Sequence, residues 1–109
     1  MITKLFLLLC GHALADFSLQ TDAMAKGKNR NRKPDYIPEG QKLMPCWYYW
    51  LSAHAFISGG IVFLITGQLH WGIFETIAHW IIDFLKCDNK TNPNQDQLLH
   101  FVCRILYLI

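Results

Sequence analysis

Three of the chain's five histidines stand four residues from an aspartate: His12 and Asp16, His79 and Asp83, Asp96 and His100. Four residues is a little more than one helical turn, so each pair shares one helix face. The pairs lie in stretches that are otherwise strongly apolar, where an ionisable group is costly unless it meets a partner or lines a cavity. That combination leaves few folds open, because the helices must come together with their paired faces inward. Other polar residues lengthen the same faces. Gln20 follows Asp16 by a turn, Glu75 precedes His79 by a turn, and Arg104 follows His100 by a turn. The remaining apolar segment contributes His54, with Ser58 one turn on.

The 109 residues suffice for one domain. Charged residues make up 17%, below the quarter or so of a typical soluble domain. Six of the ten Lys and Arg fall between Lys26 and Lys42, so the net charge of +2 describes one basic loop on an apolar body. No nucleic-acid partner is expected from it. The hydrophobic pattern predicts helices over about 2–26, 46–66, 71–87 and 94–108, with a basic loop at 27–45 that carries three prolines and two glycines. Asn92-Pro93 marks the start of the last helix. The segment 46–66 has no Lys, Arg, Asp or Glu and reaches the roughly 20 residues that a membrane span requires. The other segments are near or under that length and carry ionisable groups. The expected architecture is all-α: a compact four-helix integral membrane bundle with a polar His/Asp centre. A buried soluble four-helix bundle is the alternative.

Lys26, Lys28, Arg30, Arg32, Lys33 and Lys42 would place loop 27–45 on the cytoplasmic side of a bacterial inner membrane. Lys86 and Lys90 then fall on the same side if the second and third segments form a hairpin, with both termini opposite. Trp47, Tyr48, Tyr49, Trp50 and Trp71 suit interfacial belts. Met1 to Ala15 also resembles a signal peptide, with Ala13-Leu14-Ala15 as its cleavage site. His12 and Asp16 straddle that site and match the pattern elsewhere, so a bundle helix is expected there instead. Cys10, Cys46, Cys87 and Cys103 form no CxxC pair and are expected to be buried thiols. His70 is expected at an interfacial turn, Gly59-Gly60 at a close helix approach, and Asp22 in solvent.

Imidazole and carboxylate together suit zinc, manganese or iron, and helix bundles build one- and two-metal sites from such pairs. His12, Asp16, His54, His79, Asp83, Asp96 and His100 are the candidate ligands, enough for one ion or two, with zinc the first expectation. Glu75 or Gln20 would orient water or ligands, and Arg104 would balance an anionic group such as a phosphate. Taken singly, each pair would also serve as a hydrogen bond that fixes helix packing.

The run His12-Ala-Leu-Ala-Asp16-Phe17-Ser-Leu19-Gln20-Thr21-Asp22 resembles the opening motif of small bacterial and phage membrane proteins catalogued as domain of unknown function 3307. His79-x-x-x-Asp83-x-x-Lys86, Asp96-Gln97-x-x-His100 and the single histidine His54 are similar to that family's other motifs. The resemblance covers nearly the whole chain. It implies a membrane helical fold and assigns no reaction. Against the longer members, the chain is expected to lack a C-terminal tail and to carry a long loop before Pro45. More distantly, the pattern is similar to predicted membrane-bound metal-dependent hydrolases, which implies hydrolysis of a lipid or phosphate-bearing substrate. The expected partners are membrane lipids and a second copy or another membrane protein. Two further expectations remain open. One is a non-enzymatic effector of phage or host membrane with a structural metal or a His–Asp network. The other is an ion- or proton-conducting oligomer.

Overall fold

The computed structural model describes residues 1–31 and 47–109. Every element among them is helical: α1 (Ile2–Ala13), which runs on into a π-helical turn (Leu14–Ser18), α2 (Asp22–Gly27), α3 (Trp47–Thr66), α4 (Leu69–Cys87) and α5 (Pro93–Leu106). Arg32, Lys33, Lys42 and Cys46, which belong to the expected basic loop and its flank, lie outside the described residues.

The continuous helix expected over 2–26 is divided in the structure. Leu19 donates its N–H to the Leu14 carbonyl at 2.7 Å, a five-residue step that widens the helix at Asp16. The chain then extends at Thr21, whose hydroxyl accepts from the Met24 N–H at 3.1 Å and caps a new helix. A threonine cap opens a helix and cannot lie inside one, so Thr21 is the physical reason for the break. The described residues therefore form five α-helices where the apolar pattern predicts four.

The later boundaries have equally local causes. Gly67 closes α3 in a left-handed conformation, φ 69°, and donates to the Phe63 carbonyl at 2.8 Å. This tight turn folds α4 back along α3. α5 opens on a reciprocal cap in which Asn92 accepts from the Gln95 N–H and the Gln95 side chain accepts from the Asn92 N–H, with Pro93 in the first turn. Gly59 and Gly72 let α3 and α4 touch backbone to backbone: a Cβ on Gly59 would lie 1.9 Å from Thr76 Oγ1 and 2.7 Å from the Gly72 carbonyl oxygen.

The interior is rich in ionisable groups and much of the exterior is apolar. His54, Glu75, His79 and His100 are fully buried, and Ser58, Asp83, Asp96 and Arg104 nearly so. Phe17, Phe56, Leu64, Ile77, Leu98 and Val102 are each more than half exposed. A small apolar cluster of Leu8, Val62 and Tyr107 closes one end of the bundle, backed by Ile65 and Trp71. The opposite end carries Arg30, Trp47 and Asp88, joined by ion-pair and ring contacts. α3 is the one described helix long and apolar enough to cross a membrane. Cys87 is buried as expected, whereas Cys10 lies exposed on the outer side of α1 and Cys103 is half-buried.

The two adjacent glycines of α3 separate packing from propensity. Gly59→Ala is expected to destabilise the bundle by about 1–3 kcal/mol through overpacking against Thr76 and Gly72. A Cβ added at Gly60 would meet nothing within 4 Å, so Gly60→Ala is expected to be accepted at no cost. Thermal unfolding of both variants in detergent, followed by helical circular dichroism, checks the pair; equal melting temperatures would contradict the close approach.

Candidate metal centre

Six of the seven expected ligands converge. The ring nitrogens His54 Nε2 and His79 Nε2 face each other at 3.0 Å. Asp16 Oδ1 stands 3.3 Å from each of them. Asp83 Oδ2 stands 3.1 Å from His54 Nε2 and 3.5 Å from His79 Nε2. On the other side of Asp83, Oδ1 lies 3.2 Å from His100 Nε2, which is 3.6 Å from Asp96 Oδ1. The π-helical turn brings Asp16 from α1 onto this cluster, while α3, α4 and α5 supply the rest from facing turns.

The chemistry of these atoms follows from what stands behind them. His79 Nδ1 is 3.0 Å from Glu75 Oε1. An ionised carboxylate only accepts, so we assign the ring proton to Nδ1, which in the neutral ring leaves the Nε2 lone pair pointing at the cluster. Asp16 Oδ1 and Asp96 Oδ1 are buried without a hydrogen-bond partner among the described residues, as are His54 Nδ1 and His100 Nδ1. The two carboxylate oxygens, buried beside the histidine nitrogens without a hydrogen-bond partner among the described residues, are atoms that a cation would satisfy. Three overlapping sets could hold an ion: Asp16, His79 and His100; His54, His79 and Asp83; and Asp83, Asp96 and His100.

His12, the seventh expected ligand, stands to one side. Its Nε2 is 3.0 Å from Gln97 Oε1 and 3.4 Å from Asp16 Oδ2, and its Nδ1 faces Arg104 Nη2 at 3.2 Å. It therefore positions Asp16 from behind. Gln20 donates to the Asp16 backbone carbonyl at 2.8 Å and so braces the π-helical turn rather than the ligand atoms.

Glu75 and Arg104 form a second buried layer. Arg104 Nη1 lies 2.8 Å from Glu75 Oε2, and Arg104 Nη2 donates to Ser58 Oγ at 3.3 Å. Ser58 donates to Glu75 Oε1 at 2.8 Å, and the Tyr107 hydroxyl donates to Glu75 Oε2. Glu75 thus orients the ligand His79. Arg104 is engaged with Glu75, Ser58 and His12, so its charge is spent inside the protein and not on an incoming anion. Tyr107 lies three residues beyond Arg104 on the same face of the chain, a spacing that marks it, but it reads as an ordinary apolar residue because its hydroxyl is the one polar atom on a large ring.

Lys28 is the main residue that spacing does not reveal. Expected in a solvated cytoplasmic loop, it is 5% exposed and its Nζ lies 2.8 Å from Asp83 Oδ2. Its neighbour Arg30 pairs through two nitrogens with the Asp88 carboxylate and stacks 4.7 Å from the Phe84 ring. That pairing holds the Asp88 carboxyl below its usual range, with Asn31 adding a further hydrogen bond. Lys86 Nζ reaches Asp96 Oδ2 at 3.7 Å. Asp22 is 81% exposed on its side chain and pairs with Lys26 at 2.8 Å. His70 is exposed in the first turn of α4.

A family model described as "Protein of unknown function (DUF3307)" matches residues 4–109. No curated protein and no solved structure matches the chain.

The Glu75–Arg104 layer makes a specific energetic demand. Arg104→Met leaves Glu75 as an uncompensated buried charge and is expected to cost about 3–5 kcal/mol. Adding Glu75→Gln to that variant is expected to restore most of the loss, because the amide carries no charge, its oxygen accepts from one of the two hydroxyls of Ser58 and Tyr107, and its NH2 donates to the other. Thermal unfolding of the single and double variants measures this, and an Arg104→Met protein as stable as the parent would refute the buried pair.

Proposed function

The chain belongs to the DUF3307 family, and we propose that it is a membrane-embedded divalent-metal protein that acts as a metal-dependent hydrolase on a lipid or other phosphate-bearing substrate. The observation that carries the metal reading is the spacing of four donor atoms. His54 Nε2, His79 Nε2, Asp16 Oδ1 and Asp83 Oδ2 give five separations between 3.0 and 3.5 Å. Bonds of about 2.0–2.1 Å in a tetrahedral site put neighbouring donors about 3.3 Å apart. Hydrogen bonding alone does not call for four converging atoms of this kind, two of which are carboxylate acceptors and a third, His79 Nε2, an acceptor in the assigned tautomer.

In this scheme His54, His79, Asp16 and Asp83 hold one ion. His100 and Asp96, with the second oxygen of Asp83, offer a set for another. Zinc suits the mixed nitrogen and oxygen donors best, with manganese or iron as alternatives. A divalent ion held there supplies an acidified water and polarises the oxygen of a phosphoryl or carbonyl group. Glu75 fixes the tautomer and orientation of His79, His12 steadies Asp16, and Lys86 and Gln97 stand beside Asp96. The membrane assignment is supported by the apolar exterior, by the polar interior and by α3. Lys28, Arg30, Lys86 and Lys90 stand at or beyond the end of α4 that carries Asp88, which we assign to the cytoplasmic side of an inner membrane.

The complete burial of His54, His79 and His100 favours a second reading, in which the ion is structural and its coordination closed. Metal analysis of detergent-purified protein never exposed to chelator tests the common premise. Near-stoichiometric zinc, manganese or iron is expected in the parent and strong depletion in His79→Ala and Asp83→Asn. Protein that is folded and metal-free would refute both readings. An open coordination position, seen as exchangeable bound water by spectroscopy of a cobalt-substituted sample, separates the hydrolase from the structural site.

A further inference from the structure

We infer that Lys28 is the anion seat of this centre, receiving a phosphoryl oxygen of the substrate beside Asp83; the inference rests on the metal reading above. Lys28 is 5% exposed, and among the described residues its ammonium has one hydrogen-bond partner, Asp83 Oδ2 at 2.8 Å. An ammonium carries three donors and no acceptor. Among the described residues two N–H directions are therefore left over in a buried place beside the ligand atoms, where a spare donor is costly unless something fills it.

The position of Lys28 is built rather than incidental. Its backbone N–H closes α2 on the Met24 carbonyl at 3.0 Å. Gly27 packs so closely on Trp50 that a Cβ would lie 2.5 Å from the indole ring, which lets the backbone bring Lys28 inward. On the other flank, Arg30 is paired with Asp88, and Asn31 donates to the Cys87 carbonyl at 2.9 Å and to Asp88 Oδ1 at 2.8 Å. The chain on both sides of Lys28 is thus tied down, and its ammonium is held over the carboxylate that joins the two candidate ion sets.

Charge decides what the seat is for. Glu75 and Arg104 cancel each other. Asp16, Asp83 and Asp96 against Lys28 leave two negative charges, which one divalent ion neutralises. A second ion leaves two positive charges in excess, the complement of a phosphate dianion. Arg104, the cation that spacing singles out for an anion, has its charge paired with Glu75, in the layer behind the ligand atoms. Lys86 is more than a third exposed and lies on the Asp96 side, which leaves Lys28 as the buried donor at the junction of the two sets.

The test uses the full chain in detergent, with metal content measured on every sample, and titrates inorganic phosphate calorimetrically. The metal-loaded parent is expected to bind phosphate. Lys28→Met is expected to keep its metal and lose at least about tenfold in phosphate affinity, with Lys28→Arg restoring binding in part. Should Lys28→Met fail to fold, Lys28→Gln, which still donates to Asp83, carries the same expectation. Tighter binding of both metal and phosphate in the neutral variants would overturn the seat, since Lys28 would then be only a competing counter-ion. Repeating the titration with a short-chain phosphatidic acid in the micelle separates a lipid headgroup from free phosphate: dependence on Lys28 for either probe supports the seat, and for neither overturns it. A metal-free parent would instead refute the metal reading, which the metal measurement shows independently.

Discussion

Asp83 is the junction on which the interior depends. It stands on α4, and its oxygens meet Lys28 at the end of α2, His54 on α3 and His100 on α5. One carboxylate thus ties three other elements to the helix that carries it. The α3–α4 pair is already set by the close approach at Gly59 and Gly72, so Asp83 chiefly decides where α2 and α5 dock on that pair. Such a group adds little stability when all its partners are present and costs much when one is removed, because burial makes the leftover charge expensive. Its contribution is therefore to specificity: alternative helix packings would leave Asp83 or its cationic partner alone in an apolar setting.

His79 connects the centre to the layer behind it. One ring nitrogen meets Glu75 and the other meets His54, Asp16 and Asp83. Glu75 is itself held by Arg104, Ser58 and Tyr107, and Tyr107 belongs to the apolar cluster that closes that end with Leu8 and Val62. From one end to the other the interior passes from hydrocarbon to a neutralised ion pair, then to imidazole and carboxylate, then to Lys28 and the Arg30–Asp88 pair. Each layer is hydrogen-bonded or ion-paired to the one before it, with Asp16 Oδ1 and Asp96 Oδ1 left without hydrogen-bond partners among the described residues at the centre. This ordering lets an otherwise costly set of ionisable groups share so small an interior.

Much of the centre was legible because helical geometry converts spacing into direction. The pairs His79–Asp83 and Asp96–His100 point inward together, and Glu75 and Arg104, a turn away on the same faces, meet each other across the bundle. The same rule failed on α1. Gln20 is four residues beyond Asp16, but the helix widens at Leu14–Ser18 and stops before Thr21, so Gln20 reaches the Asp16 backbone and not the cluster. Thr21, three residues before the Met24 amide that it caps, was the local signal for that stop. Lys28 was illegible for a different reason. Its role depends on a contact 55 residues away along the chain, and a lysine among lysines and arginines carries no mark that it alone turns inward.

The scarcity of clean spans follows from the same placement of ionisable groups inside and apolar side chains outside. A hydropathy window averages both faces of a helix, so ionisable residues on an inner face lower its score however apolar the outer face is. On α4, Ile73, Phe74, Ile77 and Ile81 are exposed while Glu75, His79 and Asp83 are buried. On α5, Leu98, Phe101, Val102 and Ile105 are exposed opposite Asp96, His100 and Arg104. Among the described helices only α3, whose inner face gives the polar interior His54 and Ser58 but no Asp, Glu, Lys or Arg, is long and apolar enough on average to cross a membrane. In the proposed lipid setting the outward faces are the relevant measure, since solvating the inner faces is the task of the neighbouring helices. α5 spans 14 residues, about 21 Å at 1.5 Å per residue, short of a hydrocarbon core of about 30 Å. An element of that length leaves one of its ends inside the apolar layer unless other groups cover it, and the Arg104–Glu75 pair and the Tyr107 hydroxyl near its C-terminus are where polar groups turn inward. In the proposed lipid setting the polar interior and the shortness of α5 are thus linked, because α5 needs to reach only as far as the centre that Asp96, His100 and Arg104 face.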